Sequence, residues 1–498
     1  MLFSTWFLLS TVFSFLVFHL LWRRQQKIIL PECIPMLSTL PLIGSVHHFF
    51  EGRDLVKLLR KWQMKLGTIF GVSLFGIPVV VISEPKYLQK ILSSSEPGHL
   101  NRPSLQTTSV FPPNFRFGLL PGNGEAWKSQ RFVVGKAFTH EALKTYLPTL
   151  NLHAKQLISE VKSVLAENKG EPITQLQDLL LLASMRIVIH VVTGKNVQGN
   201  ENEESSQFLK DFHSIEATSA KFLVSPWFAV PPFSWWFSKE RAEVGRKGAN
   251  MEKFFQKILE QCKNGEDDSS FRSMMRVMLN QGVCDADLLS ECFWLTFAGN
   301  NTVGLTSLYT LFILALHPEH QEKCREEVDE VFTEVKGKDG NLTYEDIYKL
   351  IYLERCIKES QRRITVVPGT VRKLETPLKL EENLELSIGT IVLSFHDQAH
   401  MHPKAFPNPE KYDPDRFLPE NIHSRNSYAF TPFSAGRRDC IGGKMAMMEM
   451  KIILAFMLRH FEFETLDSYD NVEVYYNVSM TPKRFIRFRL KEREHLNL

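Results

Sequence analysis

At 498 residues, with 44% hydrophobic and 23% charged side chains, the chain is long enough to bury a sizeable core and too apolar to stay disordered. Its 59 basic and 56 acidic residues nearly cancel to +3, which sets aside bulk attraction to nucleic acid and confines any basic binding surface to a local patch. The seven cysteines are scattered, odd in number and form no C-x-x-C pair, so neither a disulfide framework nor a zinc site is expected, and the thiols fit a reducing compartment.

From Met1 to Trp22 there is no Asp, Glu, Lys or Arg, and Leu, Phe and Val dominate. That is about the length needed to cross a bilayer core of ~30 Å. Arg23, Arg24 and Lys27 follow the apolar run instead of preceding it, which argues for a retained single-pass anchor over a cleaved signal and places the body in the cytosol. Residues 23–45, punctuated by Pro31, Pro35, Pro41 and Gly44, read as a stiff linker. Residues 46–498 show no repeat, low-complexity tract or second linker and read as one catalytic domain.

Within that domain the pattern is mainly α with small β-sheets, an α+β class. Ile69 to Ile82 is apolar and β-branched around Gly76-Ile77-Pro78, as a hairpin would be. The longest helical pattern runs from Asp285 to His317, with Asp285 or Asp287 able to begin it and Pro318 disfavouring its continuation. A helix so long and so apolar must be largely buried. Lys444 to His460 reads as another helix, and Phe485 to Leu490 partly alternates like a strand.

The strongest chemical signal is Phe433-Ser434-Ala435-Gly436-Arg437-Arg438-Asp439-Cys440-Ile441-Gly442. Gly436 and Gly442 permit backbone shapes closed to other residues, and Arg437 and Arg438 bring positive charge near a thiol, favouring its thiolate. The helix that follows would start close to the sulfur, where backbone N–H groups also favour an anion. Such surroundings suit a metal-binding cysteine.

This segment resembles the haem-binding signature F-x-x-G-x-R-x-C-x-G of the cytochrome P450 superfamily at every fixed position: Phe433, Gly436, Arg438, Cys440 and Gly442. The resemblance implies a haem-thiolate fold of the membrane-bound microsomal type, with haem b held through Cys440 and Arg438 directed at a haem propionate. A thiolate ligand pushes electron density onto the iron and favours O–O cleavage. Further segments occur in the family's order. Glu359-Ser360-Gln361-Arg362 is similar to the E-x-x-R motif, and Pro409 to Phe417 is similar to the segment whose arginine, here Arg416, completes its salt-bridge network and braces the cysteine loop. Trp127 and Arg131 match a W-x-x-x-R helix whose side chains approach a propionate, and Arg372 is a third propionate candidate.

Ala298-Gly299-Asn300-Asn301-Thr302 resembles the family's oxygen-activation motif A-G-x-(D/E)-T, except that Asn301 stands where an acid is usual. The resemblance implies that Thr302 supports proton delivery in a groove opened near Gly299. Asn301 can orient water but has no carboxyl proton to release.

By resemblance, Phe111 to Phe117, Val224 to Phe237 and Val366-Val367-Pro368 approach the pocket or its entrance, and their apolar content suggests a lipophilic substrate and contact with membrane lipid. Lys128, Arg131, Arg437, Lys444 and Lys451 offer a basic patch to an acidic electron donor. The function these features imply is a monooxygenase of the endoplasmic reticulum membrane, fed from NADPH through a flavoprotein reductase, with cytochrome b5 as a second donor. It would insert one oxygen atom into a fatty acid or other lipid, a steroid or a xenobiotic. A haem-thiolate isomerase or dehydratase acting on a peroxide, and a silent haem or lipid carrier, are the alternatives.

Overall fold

The computed structural model describes residues 11–16 and 30–493, except 42, 52–53, 104–110, 116, 169, 198–202, 224–236, 267–270, 335–339 and 478. Residues 11–16 are helical and expose Val12, Phe13 and Leu16; the rest of the expected anchor lies outside the described residues. From residue 30 onward the proline-containing stretch joins the body: Met36 bridges Gly71, Gly44 bridges Leu74, and Ile34 and Leu37 are buried.

The longer helices are α1 (Leu55–Leu66), α2 (Pro85–Leu92), α3 (Gly124–Gly135), α4 (His140–Asn168), α5 (Leu176–Thr193), α6 (Glu203–Leu223), α7 (Ser238–Lys263), α8 (Met274–Leu279), α9 (Asp285–Leu316), α10 (Pro318–Glu334), α11 (Tyr344–Lys349), α12 (Ile351–Arg363) and α13 (Gly443–His460). The largest sheet has the order β1 (Ile69–Leu74), β2 (Ile77–Ile82), β6 (Ile391–Ser394), β3 (Thr370–Lys373). Two-stranded sheets pair β4 (Leu378–Glu381) with β5 (Leu384–Leu386), β8 (Val474–Asn477) with β9 (Ser479–Pro482), and β7 (Phe461–Thr465) with β10 (Phe488–Glu492). The β10 strand is the late alternating segment, shifted toward the C-terminus.

The hairpin forms as expected, but its turn is Phe75-Gly76, at φ 51° and 86°, the two positive values a tight two-residue hairpin turn needs. Pro78 lies inside β2 opposite Ser73. Its missing N–H is tolerated because pairing of β2 with β6 begins only at Val79.

Helix α9 is 32 residues long and so spans about 48 Å. Its N-cap is Cys284, while Asp285 and Asp287 occupy the first turn, where their charge complements the helix dipole. The helix breaks at His317, and Pro318 opens α10 directly. Helix α9 is buried along most of its length against α5, α12 and α13. Its seam with α5 is glycine-dependent, since a Cβ at Gly299 would sit 2.6 Å from Val188 and one at Gly304 2.9 Å from Leu181. Among the described residues, α5 is the one helix long and apolar enough to cross a membrane, but it is mostly buried between α4 and α9 and is a core helix.

Candidate active site

The loop before α13 is held in a shape that only its sequence permits. Ser434 and Gly436 adopt φ of 58° and 74°. At Gly436 a Cβ would lie 1.8 Å from the Leu92 carbonyl oxygen, so a side chain there collides with the end of α2. The Cys440 amide N–H donates to the Phe433 carbonyl at 2.8 Å, closing the loop, and Phe433 packs against Gly443 at the start of α13. The Cys440 thiol is open at its surface although desolvation dominates its surroundings, the mark of a side chain facing an interior cleft. Burial pushes the thiol up, while the Gly442 N–H and the charge of Arg131 oppose that rise. The cation near the sulfur thus comes from α3. Arg437 is exposed and Arg438 turns away.

Arg438 instead lies 3.8 Å above the Trp127 ring and donates to the carbonyls of Leu100 (3.0 Å) and Gly122 (2.6 Å). The Arg372 side chain is buried and donates to the Val371 carbonyl at 3.0 Å. Arg131 donates to the Asp439 carbonyl at 2.7 Å and pairs with its carboxylate. A fourth guanidinium that no sequence motif announces, Arg102, donates to the Leu120 carbonyl at 2.6 Å. Burial first, and then the neighbouring guanidiniums, push Arg438 down to about 8, Arg372 to about 9 and Arg102 to about 10. Among the described residues, the one ion pair recorded for these four arginines is Arg131 with Asp439. Buried like charges of this kind call for a polyanion. Cationic side chains sized for two carboxylates, beside an open thiol that receives an N–H, fit haem.

In the middle of α9, among mostly buried neighbours, Ala298 is exposed and Asn301 and Thr302 are half-buried. The Thr302 hydroxyl donates to the Ala298 carbonyl at 2.9 Å. The helix assignment runs unbroken through Gly299, where a Cβ would sit 2.6 Å from Val188. Asn301 donates through Nδ2 to the carboxyl of Glu216 on α6 at 2.6 Å, a contact across 85 residues that no local pattern could have revealed. Burial pushes Glu216 up to about 7.

An aromatic wall adjoins this part of α9. Phe111 meets Trp294 and Phe297 edge-on at 4.6 and 5.1 Å, and Phe115 stacks on Phe293 at 4.3 Å. Val366 is buried, with its carbonyl bonded by the Met480 N–H. Of the expected segment Val224 to Phe237, residues 224–236 lie outside the described residues.

Glu359 and Arg362 form a fully buried two-bond pair on α12, at 2.7 and 2.8 Å, and Arg416 stands 3.5 Å from the same carboxylate. Arg362 also donates to the carbonyls of Pro409 (2.7 Å) and His400 (3.2 Å), tying the segment that leads to the cysteine loop. On the surface, Lys128, Arg437 and Lys444 are exposed, and a cleft of about 330 Å³ lined by Trp127, Lys128, Arg131, Gly436, Arg437 and Asp439 opens among them. Lys451 does not join this patch: it is buried, paired with Glu354 and bonded to the Ile347 carbonyl at 3.1 Å.

A sequence profile described as cytochrome P450 matches residues 34–487. The chain is 28% identical to the fruit-fly (Drosophila melanogaster) protein named probable cytochrome P450 313a2, across 91% of this chain and 92% of that one. It is 26% identical to cytochrome P450 4c3 of the same species (98% and 95%) and 26% identical to cytochrome P450 4V2 of the orangutan Pongo abelii (84% and 81%). With a profile match that spans nearly the whole body and a fold that is helical with small sheets, the chain belongs to the cytochrome P450 family and is a haem-binding monooxygenase.

Proposed function

We propose that the Cys440 thiolate would hold the iron of a haem b, and that the protein inserts one oxygen atom from dioxygen into a lipophilic substrate, a fatty acid being the leading class. Electrons come from NADPH through a flavoprotein reductase, with cytochrome b5 as a second donor, and residues 1–22 anchor the single-pass protein in the endoplasmic reticulum membrane with its body in the cytosol. The observation that carries this reading is the open Cys440 thiol in a desolvated cleft within reach of the Arg131 charge, together with Arg102, Arg372 and Arg438, which have no carboxylate partner among the described residues.

When bound, the haem supplies the electron transfer and oxygen splitting that no side chain can perform. The residues of the chain do the rest. Cys440 holds the metal, and the Gly442 N–H steadies its sulfur as an anion. Trp127, Arg131, Arg372 and Arg438, joined by Arg102, hold the carboxylates, and Phe433 packs beneath the loop. Exposed Ala298 leaves room for small reactants. The Thr302 hydroxyl holds a proton at Oγ1 that it can pass on by breaking its bond to the Ala298 carbonyl, and Asn301 orients its surroundings. The Phe111, Trp294 and Phe297 wall excludes water and matches an acyl chain. The exposed cations Lys128, Arg437 and Lys444 suit the acidic face of an electron donor.

Asn301, which offers no acid, favours one second reading, a haem-thiolate isomerase that needs no reductase; turnover that depends on NADPH separates the two. The first test is the carbon monoxide difference spectrum of the reduced protein beside Cys440→Ser. A strongly red-shifted Soret band in the wild type, lost in the variant, is expected. An ordinary Soret position in the wild type would overturn the ligand assignment.

A further inference from the structure

The motif on α9 presents an amide where a proton donor is expected, and the fold sets a carboxyl directly against that amide. Glu216 comes from α6, is 5% exposed and accepts the Asn301 Nδ2–H at 2.6 Å. No cation neutralises it at contact distance among the described residues: its recorded partners are Asn301 and, at 3.9 Å, the Nδ1 of His213 one turn earlier on α6. Glu359, by contrast, is paired with Arg362. Glu216 is instead left with an amide on its inner side and a half-exposed imidazole on its outer side.

We propose that Glu216 carries the proton that residue 301 cannot supply, in a path from solvent through His213 to Glu216, which the Asn301 Nδ2–H holds in place against α9, and from Glu216 through water to the Thr302 hydroxyl on the open face of α9. The path rests on the monooxygenase reading, in which substrate RH, dioxygen, NADPH and one proton give ROH, water and NADP⁺. Glu216 releases its proton inward and is refilled from His213, whose other side meets water, so the residues end each cycle as they began. The gap of 3.9 Å between His213 and Glu216 is one that ring rotation or a single water closes. Burial pushes Glu216 up to about 7 and lowers His213 below its ordinary value. The other ionisable groups around them are Asp178 on α5, which faces His213, Lys247 on α7, which is engaged by Ser214 and Glu243, and Tyr475 and Tyr476 on β8, which packs against α6. Glu216 acts through Thr302 and so is a positioning and relay residue.

Two variants separate relay from tie. Glu216→Gln keeps a bond to Asn301 but removes the exchangeable proton, and Glu216→Gln with Asn301→Asp moves the carboxyl across the same bond onto α9. Infrared titration should show, in the difference between wild type and Glu216→Gln, one protonated-carboxyl band that fades as pH rises through neutrality. With the reductase, NADPH and dodecanoic acid as probe, Glu216→Gln should release several-fold more hydrogen peroxide per NADPH oxidised, and the double variant should return most of that loss. If no Glu216 band titrates near neutrality, or if the peroxide yield of Glu216→Gln equals that of the wild type, the relay is wrong. A double variant as leaky as the single one would make Glu216 a structural tie. The carbon monoxide band of each variant is recorded alongside: its absence from the wild type would overturn the monooxygenase reading itself, while its presence with unchanged peroxide yields would overturn the relay alone.

Discussion

Replacing Arg362 by Met would strand the Glu359 carboxylate in a site where both side chains are 0% exposed. The carboxylate would keep only the Asp413 N–H at 3.0 Å and the more distant Arg416. Breaking one side of a buried pair costs about 3–5 kcal/mol. The Pro409 and His400 carbonyls left without Arg362 add about 1 kcal/mol each. Glu359→Gln alone, which leaves the guanidinium buried with weaker acceptors, should cost about 3 kcal/mol. Because each single change strands the charge of the other partner and the double variant strands neither, the double variant should fall short of their sum by at least about 2 kcal/mol. Urea unfolding of the detergent-solubilised protein, followed by tryptophan fluorescence with haem content read in parallel, measures this cycle. Additivity within about 0.5 kcal/mol would refute the argument that the pair acts as one buried unit.

Gly436→Ala adds about 1 kcal/mol of left-handed backbone strain to the collision with Leu92, and should abolish haem retention while far-ultraviolet circular dichroism stays near wild type. Gly442→Ala, whose Cβ would meet Phe138 at an ordinary 3.6 Å, should leave the secondary structure intact by the same spectrum. Glu449 on α13, bonded by the Ser184 hydroxyl at 2.8 Å, is pushed by burial to about 8 from an ordinary 4.5. Between those values the folded chain binds one proton more than the unfolded chain, so the wild type should lose up to about 1.4 kcal/mol per pH unit as pH rises through that window. Glu449→Gln removes that slope; parallel curves of unfolding free energy against pH for the two proteins would contradict the assignment.

What the sequence made legible was local. The cysteine loop, the α9 boundaries and the Glu359–Arg362 spacing are written in consecutive residues, so turn chemistry and helix periodicity reach them directly. Arg102 and Glu216 matter only because distant segments bring them to Trp127, Arg438 and Asn301, and nothing within a few positions of either marks it out. Two charge assignments changed for the same reason. Sequence proximity puts Arg438 beside the thiol and the motif directs it at a propionate, and the fold stacks it on Trp127, whereas Lys451, which the sequence places among the surface cations, is drawn inward by Glu354. The packing of Gly299 on Val188 was not legible in the sequence, since the two come from distant segments.

Arg102, Arg131, Arg372 and Arg438, close enough to act on one another, behave as a compressed spring. Each guanidinium that lowers a neighbour's hold on its proton also raises the free energy of the chain that has no dianion among them. A ligand that relieves this repulsion binds the folded state alone, and mass action then ties the folded fraction to its concentration. The amount of this protein that a cell keeps should therefore follow its supply of iron porphyrin, with chains made in excess of that supply the first to reach the proteases.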